Sequence, residues 1–156
     1  SDIRAVLDRC APLSQDMLAK HIATLWGFKS LGSRIRERVL SLIPHGAGRV
    51  HGDDVWSEGA DPHAWRAFRY SADAADREFS EVPARELANA ARWMVTWAPG
   101  IRRDDAYREI AQVFGVSRCT KRVQERLRAV LDGLIRDGAL VEQGGALSAA
   151  QTTEGA

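Results

Sequence analysis

Apolar residues recur every three or four positions in two separate parts of the chain, and each part predicts three consecutive helices. In the first part, Pro12 ends the opening stripe, and the second helix runs from the N-cap Ser14 to Gly27, where a left-handed C-cap favours glycine. The third helix is expected over 33–43, and the glycine-rich stretch after Pro44 predicts a hairpin. The inward positions of the second and third helices are predicted to be Met17, Leu18, Ile22, Leu25, Ile35, Val39, Leu42 and Ile43.

The second part follows the same plan. Its opening stripe ends at Pro99, and its second helix is capped by Asp104-Asp105 and ends at Gly115. A third helix is expected from about Thr120, followed by two turns that flank short strands. The inward positions of these two helices are predicted to be Ala106, Ile110, Val113, Phe114, Val123, Leu127, Val130, Leu131 and Leu134.

The two parts align with each other as an internal repeat. Leu13–Ile43 matches Ile101–Leu131 without a gap, at an offset of 88 residues, with seven identities in 31 positions. Two unrelated amphipathic helix pairs would also align by hydrophobic period. The match preserves a glycine and an Arg-x-x-Glu-Arg sequence as well, however, which favours a true duplication.

Three helices followed by a small hairpin are typical of the winged helix, a helix-turn-helix extended by a β wing. The predicted fold class is therefore mainly α, with two winged-helix-like repeats in tandem. The repeats are expected at 1–56 and 85–148, with an acidic, aromatic-containing join at 57–84 that packs in part and a flexible tail at 149–156.

Charge is distributed unevenly along the 156 residues, although the net charge is only +1. Residues 1–52 carry a charge of +4, residues 53–91 carry −5 and residues 92–156 carry +2. This pattern could place positive charge on particular faces of the fold, or it could reflect ordinary solvated helix faces. The 45% hydrophobic and 28% charged residues exclude collagen-like, low-complexity and wholly disordered chains.

The start of each third helix carries the candidate nucleic-acid-binding residues. Such helices enter the major groove, and flanking cations and hydroxyls bind phosphates. The wings add only Arg49 and His51. Arg38 and Arg126 follow Glu37 and Glu125 directly. The alternative is that these arginines form local ion pairs with neighbouring turns and do not bind nucleic acid. The candidates are Lys29, Ser30, Ser33, Arg34 and Arg38 in the first repeat and Arg118, Thr120, Lys121, Arg122 and Arg126 in the second.

Tryptophans form two further groups. Trp93 and Trp97 lie one helical turn apart and could stack on bases, but apolar neighbours favour core positions or a groove between the repeats. Trp56 and Trp65 are interpreted as covering the first wing.

Nothing in the sequence predicts catalysis, a cofactor or a metal site. A phosphate-binding Gly-x-x-x-x-Gly-Lys loop is absent, and the adjacent carboxylates at 53–54 and 104–105 suit a turn and a helix start. Cys10 and Cys119 are expected to be reduced thiols of a cytoplasmic protein. The longest uncharged apolar run, Trp93–Ile101, is too short for a membrane span, and the initial Ser1 suggests a fragment of something longer.

From about Ile3 to Leu147 the chain resembles a bacterial domain of unknown function. That domain lies at the C-terminal end of large superfamily-one helicase-related proteins, often beside a Vsr-like or restriction-endonuclease-like nuclease. The resemblance implies DNA processing or defence, with ATP hydrolysis and cleavage outside this chain, and it lends no catalytic residues. The second repeat departs from the pattern at Cys119-Thr120, where the first has Leu31-Gly32. The segments that carry the resemblance are Gly27–Ile35, Val55-Trp56, Trp65–Arg69, Val82-Pro83, Glu86–Ala88, Phe114-Gly115 and Arg122-Val123.

Two functions follow from these observations. The first is a non-catalytic accessory module that holds nucleic acid, with DNA favoured over RNA, near the helicase or nuclease portion of a parent polypeptide. The second is a protein-contact or oligomerisation module that docks onto that portion. Neither requires a membrane or a small-molecule substrate.

Overall fold

A computed structural model describes residues 2–46, 48–70 and 77–150. The described residues form a mixed α/β fold, in which six α-helices make the larger part and two small antiparallel sheets have three strands each. Part of the predicted join, 71–76, and most of the predicted tail, 151–156, lie outside the described residues. Within those ranges, no helix has the length and apolar character needed to cross a bilayer.

The chain divides into two compact units. Unit 1 comprises Ser1–Trp65 with Glu81–Pro83, and unit 2 comprises Arg66–Ser80 with Ala84–Ala156. The predicted join is thus shared between the two units, because residues 57–65 belong to the first and residues 66–80 to the second.

Unit 1 consists of three helices and a sheet with the strand order β1-β3-β2. Strand β1 pairs with β3 at Leu13 and Val55, and β2 pairs with β3 through the hairpin predicted after Pro44. The elements are α1 Asp2–Cys10, β1 Leu13–Ser14, α2 Gln15–Leu25, α3 Ser33–Leu42, β2 Gly48–His51 and β3 Asp54–Ser57.

Unit 2 has the same order of elements, and its sheet has the corresponding strand order β4-β6-β5. Ala149 ends the last strand, and the backbone N–H of Ala150 donates to the carbonyl of Ala139. The elements are α4 Ala84–Trp97, β4 Ile101–Arg102, α5 Arg103–Val113, α6 Lys121–Arg136, β5 Leu140–Gln143 and β6 Ala146–Ala149.

The bounds of the elements follow a constant offset between the units. Strand β4, helix α5 and the start of α6 come 88 residues after β1, α2 and the start of α3. The turn glycines follow the same offset, since Gly27 has φ 84° and Gly115 has φ 79°. The hairpin strands come 92 residues later, because α6 is six residues longer than α3 and the connection that follows it is two residues shorter.

The apolar stripes of the helices form the core of each unit. Leu18 and Ile22 are fully buried in unit 1, and Ile110 and Leu127 are fully buried in unit 2. The prediction that Leu25 is a core residue is wrong, since 62% of its surface is exposed. Leu25 is the last residue of α2, and no described element packs over it there.

Candidate nucleic-acid interface

Each third helix presents one polar side because its opposite side is buried. Val39 anchors α3 in unit 1, and a stripe from Val123 to Leu134 anchors α6 in unit 2. The starts of the two helices differ in their caps: the Thr120 hydroxyl accepts a hydrogen bond from the Val123 N–H, whereas Gly32 has no side chain to cap α3. The Thr120 oxygen therefore caps α6, and its O–H remains a donor for a phosphate oxygen.

All five candidate residues of unit 1 lie on the exposed surface: Lys29, Ser30, Ser33, Arg34 and Arg38. Their side chains form no hydrogen bond or ion pair within the described residues. The local ion pair forms at the neighbouring Arg36 instead, whose Nε lies 2.6 Å from Oδ1 of Asp16. The three cations of this set are thus available to a ligand.

Arg118, Lys121 and Arg122 are also exposed in unit 2, and none of them pairs with a carboxylate in the described part of the chain. Arg126 is different. Its Nη1 donates to the carbonyl of Phe79 at 2.6 Å, and its guanidinium carbon lies 5.6 Å from the centre of the Phe79 ring. The prediction that Arg126 points outward to a polyanion is wrong, because this side chain is bound to a segment of its own unit.

Arg128 belongs to the same exposed face and is absent from the sequence prediction. It lies seven residues after Lys121, which places the two side chains on one side of α6. It is exposed and unpaired within the described ranges. The spacing from Lys121 was the signal that could have identified it.

The hairpins contribute unequal charge. In unit 1, Arg49 and His51 on β2 are exposed. In unit 2, Glu142 on β5 binds Arg103, with 2.7 Å between Oε2 and Nε, and Arg103 also binds Asp132 at 2.8 Å. The hydrogen bond with Arg103 lowers the pKa of Glu142, and the same bond is the main cause that raises the pKa of Arg103. The second hairpin is therefore fixed by an ion pair and presents no free cation from these residues.

The tryptophans of α4 are on the surface. Trp93 is 46% exposed and Trp97 is 74% exposed, so the interpretation of both as core residues is wrong. The two ring centres lie 6.4 Å apart, and Phe68 packs against Trp93 at 5.7 Å. Nearby, burial and then the charges of Arg66 and Arg85 lower the pKa of Arg92.

The first hairpin carries the other tryptophan group. The rings of Trp56 and Trp65 meet edge to face at 5.3 Å, and Trp56 is buried on β3. Trp65 therefore packs against Trp56 of the first hairpin, which agrees with the interpretation that these residues cover it.

A cleft of about 380 Å³ lies beside the turn between α5 and α6. Its charges are mixed, because Arg118 is accompanied by Asp104, and Arg108 is paired with Asp105. Among the described residues, no group of three or more His, Cys, Asp or Glu side chains could hold a metal ion. The lining residues are Asp104, Tyr107, Arg108, Ser117, Arg118, Cys119 and Gln124.

Comparison with protein-family models, curated proteins and solved structures found no match to this chain.

Proposed function

We propose that this chain is a nucleic-acid-binding accessory module, made of two winged-helix-like units, that binds DNA through α3 and α6. The order helix, strand, helix, helix, strand, strand in each unit supports the winged-helix interpretation, as does a first strand that pairs with the last. In that architecture the third helix is the element that reaches the major groove.

The observation that carries the proposal is a set of unpaired cations on two corresponding helices. Elsewhere many cations are bound to carboxylates, for example Lys20 to Glu81 and Arg69 to Glu86. The cations at the third helices are exposed and unpaired in the part of the chain that the structure describes. Duplex DNA would supply the missing anions, and binding would release its counterions. The cations are Lys29, Arg34, Arg38, Arg118, Lys121, Arg122 and Arg128.

The proposal assigns no catalytic step to this chain. The candidate binding groups of the two helices are guanidinium, ammonium and hydroxyl groups, which position a phosphate backbone. We further propose that the chain serves a larger helicase- or nuclease-type polypeptide, in which ATP hydrolysis and cleavage belong to other parts.

Fluorescence anisotropy with a labelled duplex, measured from low to moderate salt, tests this function. The double variant Arg34→Glu with Arg122→Glu is expected to bind at least about tenfold more weakly, and the salt slope is expected to fall by about two, because roughly one phosphate contact is lost at each helix.

The matched control is Arg9→Glu with Arg136→Glu, which changes the net charge equally. Arg9 lies on α1, and Arg136 lies roughly 21 Å along α6 from Arg122. Equal weakening in the two double variants would mean that only net charge matters, and it would contradict binding through the starts of α3 and α6. A single-stranded probe of the same length distinguishes groove binding from binding to single strands.

A further inference from the structure

The second helix of each unit ends in the same backbone turn. Trp26 follows α2 and Phe114 follows α5, and each is followed by a glycine with positive φ. The hydrogen bond that closes the turn is also shared, because the N–H of Phe28 donates to the carbonyl of Ala23 as the N–H of Val116 donates to Ala111. The two helix ends therefore offer the same backbone shape to anything that packs over them.

In unit 2 this helix end is covered by the segment that precedes α4. The rings of Phe68 and Phe79 lie 6.3 Å and 6.4 Å from the ring of Phe114, which is only 8% exposed. Phe79 also accepts the hydrogen bond from Arg126 through its carbonyl. One aromatic residue thus binds the helix end with its ring and the third helix with its backbone.

The covering segment is held in place by a separate set of polar contacts. Glu86 is fully buried on α4 and binds Arg69 and Arg77, with closest distances of 2.7 Å and 2.5 Å. The side-chain amide of Asn89 donates to the carbonyl of Ala67. Residues 66–70 have no regular secondary structure. The rest of unit 2 contacts them in the way that a protein contacts a bound peptide.

In unit 1 the corresponding surface is largely open, and the indole N–H of Trp26 donates to the carboxylate of Asp2 on α1 at 3.0 Å. Leu25 is 62% exposed, Trp26 is 38% exposed and Phe28 is 48% exposed, although all three are large apolar residues. Arg38 occupies the position of Arg126, and its side chain has no hydrogen bond or ion pair to any residue in the described ranges. We call these four residues the open surface. An exposed cluster of this kind marks a binding site more often than a solvated surface.

We propose that the open surface binds a peptide segment of a partner polypeptide, a segment without regular structure that carries an aromatic residue. The aromatic ring packs against Trp26, and the carbonyl of the same residue accepts a hydrogen bond from Arg38. Phe79 makes both contacts at the corresponding places in unit 2. Leu25, Trp26 and Phe28 take no part in the proposed DNA binding, because a phosphate backbone offers nothing to apolar side chains, whereas Arg38 belongs to both sites.

The probe that tests this inference is a synthetic peptide with the sequence Arg-Glu-Phe-Ser-Glu, which copies residues 77–81. It is titrated into the full chain, and amide and indole N–H resonances are followed by NMR. Saturable shifts are expected at the Trp26 indole and at the amides of Gly27 and Phe28. A peptide with alanine in place of its phenylalanine is expected to bind at least about tenfold more weakly, because the ring supplies most of the buried apolar area.

Two protein variants locate the site. Leu25→Ser with Phe28→Ser is expected to weaken peptide binding at least about tenfold, and Arg38→Ala about fivefold, the effect of one lost hydrogen bond. Both variants change exposed side chains, and circular dichroism verifies that they fold. Trp97→Ser is the control, since it removes an exposed tryptophan of unit 2 and should leave peptide binding unchanged.

Three results would overturn the inference. The first is that the alanine peptide binds as tightly as the phenylalanine peptide, or that the double variant binds the phenylalanine peptide as tightly as the unmodified chain does. The second is self-association in sedimentation that the double variant abolishes, since the surface would then be covered by a second copy of the chain. The third is a matching loss of duplex DNA affinity in the double variant, which would assign the surface to nucleic acid. Unchanged DNA affinity together with lost peptide binding supports two separate sites.

Discussion

Unit 1 and unit 2 share an order of elements and a turn, yet they treat the end of the second helix in opposite ways. Phe114 is a core residue because Phe68 and Phe79 lie on it, whereas Trp26 remains on the surface at the corresponding position. The helices that precede the two residues have the same length, and the hydrogen bonds donated by the turn glycine and by the residue after it correspond in the two units. The difference in burial at this position therefore follows the covering segment and not the helix.

The two units also differ in the internal polar contacts of their charged side chains. Within unit 2, Arg126 donates to the carbonyl of Phe79, Arg103 pairs with Glu142, and two arginines pair with Glu86. At the positions of Arg103 and Glu142, unit 1 has Gln15 and Val50, which cannot form an ion pair. Unit 2 is consequently more fixed by internal polar contacts, and unit 1 keeps more of its equivalent surface available for ligands.

The largest effect on this comparison is expected from Glu86→Ala. The substitution leaves the guanidinium groups of Arg69 and Arg77 without their buried partner, so unit 2 should lose about 3–5 kcal/mol of unfolding free energy. The segment that covers Phe114 should also become accessible, which is measured as faster tryptic cleavage after Arg69 and Arg77. The control is Glu125→Ala, which removes an exposed carboxylate of α6. Equal stability of the two variants would show that the Glu86 contacts do not hold the segment.

A smaller effect is expected from adding one methyl group to a glycine of each unit. At Gly48 a Cβ would lie 2.8 Å from side-chain atoms of both Ile43 and Leu7, so Gly48→Ala should destabilise unit 1 by about 1–3 kcal/mol. At Gly133, inside α6, a Cβ would meet only the end of the Arg136 side chain at 3.7 Å, so Gly133→Ala should stabilise unit 2 by about 0.5–1 kcal/mol. Urea unfolding, monitored by the hydrogen exchange of individual backbone amides, assigns each change in stability to its unit. A loss of stability in both variants would contradict the packing described for α6.

The smallest effect concerns pH. Because Arg103 lowers the pKa of Glu142, this carboxylate stabilises unit 2 above the pKa of the unfolded chain, about 4.3, and the contribution is lost as the pH falls through the lower folded value. Glu142→Gln should therefore cost less than about 1 kcal/mol at neutral pH, since the pair is partly exposed, and less near pH 3, where protonation weakens the pair. Thermal unfolding of both proteins at the two pH values measures the difference. The same loss at both values would indicate that packing, and not charge, explains the effect.

The sequence was sufficient to predict the six helices and the two hairpins, because helical periodicity, turn glycines and the 88-residue offset are local properties, but it did not predict the two-residue strands β1 and β4. The hairpin after Pro44 and the inward positions of Ile22 and Ile110 are confirmed for that reason. What failed were predictions that depend on which segment covers which surface.

Arg126, Leu25 and Trp97 illustrate that limit. The cover of Arg126 comes from Phe79, 47 residues away, in a stretch without hydrophobic period. Leu25 and Trp97 are each the last residue of a helix, where helical spacing alone does not place an apolar residue in the core. The burial of Glu86 was equally beyond sequence analysis, because a carboxylate is normally assigned to the surface.

Hydroxyl-radical footprinting of the full chain, read by mass spectrometry, tests most directly whether the end of the second helix is open in unit 1 and covered in unit 2. Phe28 and Phe114 form the decisive pair, because they have the same intrinsic reactivity and differ in exposure. Phe28 is expected to be oxidised several-fold faster than Phe114, and Glu86→Ala should remove most of that difference. Equal oxidation of the two phenylalanines in the unmodified chain would contradict the account.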